Sequence, residues 1–171
     1  GWFASSLPAD HAAVQLAGQR TDPIRCVAGQ TWTWDGVRFT MLHPSGADYD
    51  DAWARTNDLS CVVRIDSAHG SALIAGDIEA KSEAALLRTR RDLLRADVVV
   101  VPHHGSRTSS TFAFVRAVAP ALAVIACGYR NRFGHPRPHV VARYTAVGAR
   151  VVRTDLEGAI ALTFAEGRPL A

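Results

Sequence analysis

Residues 101–110, VPHHGSRTSS, put two adjacent histidines, a glycine and a cluster of hydroxyls directly behind an apolar run. Two other stretches share this grammar. SALIAGD runs from apolar residues into Gly76 and Asp77, and ALAVIACG is followed after a short loop by Gly134-His135-Pro136. Carboxylates and imidazoles are the ligands of a hydrolytic divalent-metal site, where a carboxylate can bridge two ions and an imidazole holds one side of the pair. Asp77, His103 and His104 are therefore candidate metal ligands, and either ring of the doublet is placed to serve. Asp77, His104 and His135 are candidate catalytic groups, with His135 donating a proton to a leaving oxygen or holding substrate. Each residue also has an ordinary alternative: a helix cap for Asp77, one buried and one surface ring for the doublet, loop filler for His135. The joint pattern favours a site, because the ends of successive strands in an α/β sheet converge on one edge, where ligands bind. Gly76 and Gly105 allow sharp turns and close approach of backbone to a metal or phosphate.

Further polar residues collect around this edge. Ser106, Thr108, Ser109 and Ser110, with Arg107 among them, stand at a helix start, where backbone N–H groups and the dipole favour a phosphate. Arg130 and Arg132 flank Asn131 close to the GHP loop and are candidates to grip a phosphate backbone, the alternative being solvated surface charge. Asn57 and Ser60, just before a strand, are placed to hydrogen-bond site groups. His43 ends a strand in the same way and carries less weight, with packing on Trp32 or Trp34 as its other reading. His11, His69 and His139 read as surface residues.

The elements that must position these groups follow from patterning. A helix is predicted from Pro8 to Gly18. Thr31–Trp34 and Val37–Leu42 read as strands around an Asp35-Gly36 turn. A polar loop follows over 45–58. LSCVVRID and SALIAGD are strands joined at His69-Gly70. The helix predicted over 79–96 has apolar Ala80, Ala84, Leu87 and Leu94. ADVVVVP and ALAVIACG are buried strands. Helices follow over 110–119, with Ser110 as N-cap, and over 138–148. ARVVRTD and GAIALTFAEG close the chain as strands. This order, early β and then alternating β and α, predicts an α/β (α+β) fold with helices packed on a sheet and a second sheet or antiparallel extension.

The chain has 171 residues, enough for one domain with a real core, and 48% are hydrophobic. No apolar run is long enough to span a bilayer. The start lacks a secretory signal, and apolar Trp2, Phe3 and Leu7 give the expectation of a segment taken from inside a longer protein. The net charge is +3, carried by arginine with a single lysine, Lys81, which permits a nucleic-acid partner without requiring one. Cys26, Cys61 and Cys127 are few, odd in number and far apart, so all three are expected to be free, buried thiols.

NDLSCVVRI, LIAGDIEAKSEAALL, VVVVPHHGSRTSS, NRFGHPRP and the closing RTDLEGAIAL, in that order, resemble the C-terminal metallo-β-lactamase-like domain of ComEC-type competence proteins, the bacterial DNA-internalisation channels. The resemblance covers nearly the whole chain, and PHHGS with a downstream GHP is its most specific part. It implies an αββα sandwich, with this chain as its C-terminal portion, and a metal site along one edge. The implied activity is a phosphodiester hydrolase that degrades the non-transported strand during uptake. Asp77 matches the family's acidic ligand, the His103/His104 pair its late histidine position, and His135 its GHP position. The implied cofactor is zinc or manganese. The implied partners are single-stranded DNA, held by its phosphate backbone, and the membrane-channel portion of the same polypeptide. The implied location is a soluble domain of a bacterial inner-membrane protein, and no stable homo-oligomer is expected. The superfamily's His-x-His-x-Asp-His signature is missing from these 171 residues, and Asp10-His11 is no remnant of it. The chain is therefore expected to be a partial domain with at most half of a metal site, binding a divalent ion weakly or not at all and inactive alone. The competing functions are a metallo-β-lactamase-like hydrolase or phosphoesterase of a small molecule, and a non-catalytic DNA-binding or assembly module.

Overall fold

The computed structural model describes residues 3–166. A seven-stranded sheet organises them in sequence order, β3 (Thr31–Trp34), β4 (Val37–His43), β5 (Val62–Ser67), β6 (Gly70–Ile74), β7 (Val98–Val100), β8 (Leu122–Ile125) and β9 (Arg150–Arg153). The first four strands pair antiparallel, β3–β4 and β5–β6 through short turns and β4–β5 through a long polar loop. From β6 onward the strands are parallel, and each step requires a crossover. Helices α2 (Ala80–Thr89), α3 (Phe112–Val118) and α4 (Pro138–Ala146) supply those crossovers.

Alternation along the parallel strands divides the apolar residues between two faces. Leu73, Val99 and Ala123 lie in register and pack with Leu86 of α2, Phe114 and Val118 of α3, and Val140 and Tyr144 of α4. The three crossover helices thus cover this face and enclose the main core. Val98, Leu122, Val124 and Val152 point to the opposite face, where Ile160, Leu162 and Phe164 cover them. That last segment was expected to be a strand. It forms no ladder and lies across the sheet as an extended cover, preceded by a single helical turn, α5 (Thr154–Glu157). Gly70 makes room for it, since a Cβ there would lie 2.3 Å from the Phe164 ring.

A small parallel pair, β1 (Phe3–Ser5) and β2 (Pro23–Arg25), joined by α1 (Ala12–Gly18), precedes the sheet. The helix begins at Ala12, because the His11 imidazole accepts the Ala13 N–H as its cap, while Pro8 stays in the turn before it. A disulfide between Cys26 and Cys61 ties this unit to the start of β5, which corrects the expectation of three free thiols. The two cysteines are 35 residues apart in the chain, and only the fold brings them together. Cys127 alone remains free. His43 is buried, and its Nε2 donates to the Asp58 carbonyl at 2.7 Å. Trp32 stacks on Phe39.

Helix α2 carries an acidic residue into the core. Glu83 is fully buried and accepts the backbone N–H groups of Ser110 and Thr111, the latter at 2.7 Å. Burial pushes its carboxyl above the usual range, and the hydrogen bonds from residues 110–111 and the nearby Arg143 oppose that rise. Thr111, and not Ser110, caps α3, its hydroxyl accepting the Phe114 N–H. Ser110 instead pairs with the Tyr144 hydroxyl at 3.1 Å, inside the core.

Candidate metal centre at the strand ends

The C-terminal ends of β6, β7 and β8 meet at one edge, as a parallel sheet requires, and they bring Asp77, His103, His104 and the GHP loop together. The turn after β6 is held from two sides. Ser60 accepts the Asp77 N–H at 3.2 Å, and the Gly76 carbonyl accepts the His103 N–H at 2.9 Å. Gly76 has φ +56°, and a Cβ there would sit 3.0 Å from Ser60 Cβ and 3.2 Å from the Cys61 carbonyl. The disulfide-bonded start of β5 therefore forms the floor beneath Asp77.

The doublet turns on an unusual backbone. His103 (φ 49°, ψ 42°) and His104 (φ 54°, ψ 21°) both adopt the left-handed conformation, and Gly105 follows at φ 79°. L-residues occupy this region at a cost of about 1–2 kcal/mol each. The His104 ring donates through Nδ1 to the Ala126 carbonyl at 2.6 Å. A carbonyl only accepts, so this bond places a proton on Nδ1, and in the neutral ring the lone pair is then on Nε2. That lone pair faces Asp77 Oδ1 at 3.6 Å, with the two side chains 51% and 42% exposed. Two electron-pair donors facing each other at a solvent-open edge suit a cation between them. Orientation of the imidazole through its distal nitrogen is how histidine ligands are ordinarily held.

His103 points the other way around the same edge. Its Nδ1 lies 3.3 Å from Glu79 Oε1 and 3.4 Å from Thr108 Oγ1, and Asn57 donates to that Glu79 oxygen at 3.4 Å. Sequence reasoning singled out Asn57 and Ser60 as hydrogen-bonding neighbours, and both are. It missed Glu79 and the Ala126 carbonyl. Glu79 was available as a polar residue two positions after Asp77, whereas a backbone carbonyl has no signal in side-chain identity.

The His135 ring packs edge-on to His103, centroids 5.9 Å apart, and stacks on Phe133. Asn131 clamps the loop, accepting the His135 N–H at 2.9 Å and donating to its carbonyl at 2.7 Å. Burial lowers the His135 pKa, and the neighbouring His103 and Arg137 lower it further. Its Nδ1 is buried without a partner among the described residues. Gly105 lets the two loops touch: a Cβ there would fall 2.7 Å from Pro136 Cβ, and the Arg137 N–H donates to the Gly105 carbonyl at 2.9 Å. Beside this corner lies a depression of about 380 Å³ bounded by His104, Cys127, Asn131, Phe133 and His135.

The hydroxyls divide. Thr108 is exposed and shares a hydrogen bond with the buried Ser106 hydroxyl at 3.1 Å. Ser109 is buried and donates to the Pro102 and Ser106 carbonyls, so its hydroxyl is turned into the fold and not toward a phosphate. Arg130 and Arg132 are exposed and lie over the rings of Tyr129 and Phe133. Among the described residues no group of three or more His, Cys, Asp and Glu side chains is arranged to hold a metal ion. The donor chemistry at Asp77 and His104 fits a divalent cation, but as a two-point edge.

Comparison with known proteins shows what this chain is similar to. No family model matches the chain. Competence protein ComA of Neisseria gonorrhoeae is 41% identical over 145 residues, which is 84% of this chain and 20% of that protein. Recombination protein 2 of Haemophilus influenzae is 34% identical over 84% of the chain, and ComE operon protein 3 of Bacillus subtilis is 30% identical over 91%. Over that span the chain is a homologue of the ComA/ComEC-type competence proteins. It spans about one fifth of the length of these ComEC-type relatives. Among solved structures it resembles a mutant form of CmlA β-hydroxylase (TM-score 0.56, 16% identity, covering 82% of this chain and 34% of that one). It also resembles a putative metal-dependent hydrolase from Parabacteroides distasonis (TM-score 0.51, 14% identity, 85% and 62% covered). At these identities the likeness establishes the fold, which is that of the metallo-β-lactamases. Among the described residues of this ComEC-like chain no helix is long and apolar enough to cross a membrane.

Proposed function

We propose that the chain is part of a metal-dependent phosphodiesterase domain of a competence protein, acting on DNA during uptake. The observation that carries this reading is the facing pair of Asp77 Oδ1 and His104 Nε2, with the His104 tautomer set by the Ala126 carbonyl. Asp77 and His104 would hold a divalent ion, zinc or manganese, with His103 beside them. The remaining ligands would come from segments of the parent polypeptide outside residues 1–171. An ion held there supplies Lewis-acid and water-activating chemistry.

The chain's own groups do the rest. Ser60 and the His103 N–H hold the Gly76-Asp77 turn, so a fixed backbone would present the carboxylate to such an ion. Thr108, backed by the buried Ser106 hydroxyl, offers its hydroxyl to a phosphate oxygen, and Arg130 and Arg132 give guanidinium groups to the strand beyond it. His135, locked by Asn131, turns a ring edge toward the same space and positions the leaving group. The Cys26–Cys61 disulfide favours placement on the oxidising side of the membrane, since thiols inside the cytosol are kept reduced. The membrane-channel portion of the same polypeptide would present the incoming strand.

Digestion of single-stranded DNA in Mn²⁺ by the complete domain, compared with its Asp77→Ala and His104→Ala forms, tests the reading. Loss of cleavage in both variants is expected. Cleavage that survives in Asp77→Ala, or cleavage confined to small phosphate esters, overturns it.

A further inference from the structure

Trp53 is 90% exposed, in the polar loop between β4 and β5. The loop around it is anchored. The Trp53 N–H donates to Asp51 Oδ1 at 2.9 Å, the Ala54 N–H to the Asp51 carbonyl at 3.0 Å, and Lys81 of α2 holds Asp51 Oδ2 at 3.0 Å. The fixed turn thus displays a large, flat aromatic face to solvent.

Beside the indole lies a depression of about 610 Å³ whose walls include Arg55, Lys81, Arg107, Thr108 and Arg143. Arg55 and Arg107 are exposed, and neither guanidinium has an ion-pair partner among the described residues. Lys81 is paired with Asp51, and Arg143 donates to the Ser109 and Ser110 carbonyls, so the first two are the cations open to a ligand. The depression adjoins the candidate metal edge directly, because two of its wall residues, Glu79 and Thr108, are those that flank His103 Nδ1. The depression near His135 borders the other ring of the doublet, His104. There Tyr129 and Phe133 are exposed, with Arg130 and Arg132 over their rings.

We propose that Trp53, Arg55 and Arg107 form a nucleotide subsite for a single-stranded polynucleotide: a base stacks on the indole and the adjoining phosphate is taken by the two arginines. An open indole face can receive only a base that has left its own stack, so the subsite selects a single strand over a duplex. Two unpaired arginine forks match phosphate oxygens. The inference rests on the phosphodiesterase reading, and it places a nucleotide on the His103 side of the reacting bond.

The test is fluorescence anisotropy of a fluorescein-labelled oligothymidylate with the full chain at low salt. Trp53→Ala should weaken binding about five- to 150-fold, and Trp53→Phe should restore most of it. Arg55→Ala and Arg107→Ala should each weaken binding and reduce the salt slope by about one. Trp34→Ala, at an exposed indole on β3, is the control that should leave binding unchanged. A wild-type chain that does not bind the oligomer, a duplex that competes equally, or a Trp53→Ala chain that binds like wild type each overturns the subsite. Binding by Asp77→Asn separates the two claims. Retained, Trp53-dependent binding without any Asp77-dependent cleavage in the complete domain refutes the phosphodiesterase reading alone. Asp77-dependent cleavage with Trp53-independent binding refutes the subsite alone.

Discussion

Substitution of Gly105 by alanine should damage both stability and the site, and two separable terms set the size of the effect. The first is backbone strain: at φ +79° a Cβ meets its own carbonyl, at a cost of about 1–2 kcal/mol. The second is contact: the added Cβ would lie 2.7 Å from Pro136 Cβ and 3.2 Å from Pro136 Cα, both within the ring-and-backbone unit of a clamped loop. Forcing an extra carbon into a packed position adds about 1–3 kcal/mol. Gly148 supplies the matched control, with φ +86° and nothing within 4 Å of the position its Cβ would take. Gly148→Ala should therefore show the strain term alone. Thermal unfolding followed by circular dichroism reads the difference: Gly105→Ala should melt roughly 2–12 °C below Gly148→Ala, on a scale of about 2–4 °C per kcal/mol for a chain of this size. The same substitution pushes Pro136 away and carries His135 off the doublet, so the complete domain should also lose cleavage. Equal melting temperatures for the two variants would refute the claim that Gly105 is needed for the approach of the GHP loop.

Three further outcomes are expected. Glu83→Gln should destabilise by about 2–3 kcal/mol in urea unfolding, because an amide N–H₂ must then face either the Ser110 or the Thr111 N–H in a buried site. The raised Glu83 pKa adds a pH dependence: this group's contribution to stability is fullest below the ordinary glutamate pKa and falls as pH rises through the higher folded value, so the Gln variant's deficit should narrow in that direction. Reduction of Cys26–Cys61, or the double serine variant, should cost about 3–4 kcal/mol for release of a 35-residue link, measured by thermal unfolding with and without reductant. Cys127 should alkylate with iodoacetamide more slowly than a free thiol at pH 8 and accelerate as pH rises past 9, since burial and Asp155 push its pKa up.

Period-2 and period-3.6 patterning revealed every strand of the parallel half and the three helices that join them, because those segments are buried on both faces or amphipathic. The candidate site was legible for the same reason: once β6, β7 and β8 are known to be parallel neighbours, Asp77, His103/His104 and the GHP loop must share an edge. What remained hidden depends on contacts rather than periodicity. The Cys26–Cys61 pair spans two sheets, and nothing local to either cysteine announces the other. Ile160, Leu162 and Phe164 alternate like a strand, yet they cover the sheet face without joining a ladder. Ser109 and Ser110 look like any exposed hydroxyl cluster, yet carbonyls of its own loop turn Ser109 inward, and Tyr144 of α4 and the buried Glu83 hold Ser110.

The left-handed conformation of His103 and His104 has a consequence for how this chain can vary. Glycine or asparagine at either position would relax the turn, so selection for stability alone would erase both imidazoles. On the proposed reading of the site, the work of the two rings at the metal edge is what offsets that strain. A library of variants sorted for thermal resistance should therefore drift toward small or amide side chains at positions 103 and 104, while one sorted for function should keep the histidines and collect its gains elsewhere in the fold.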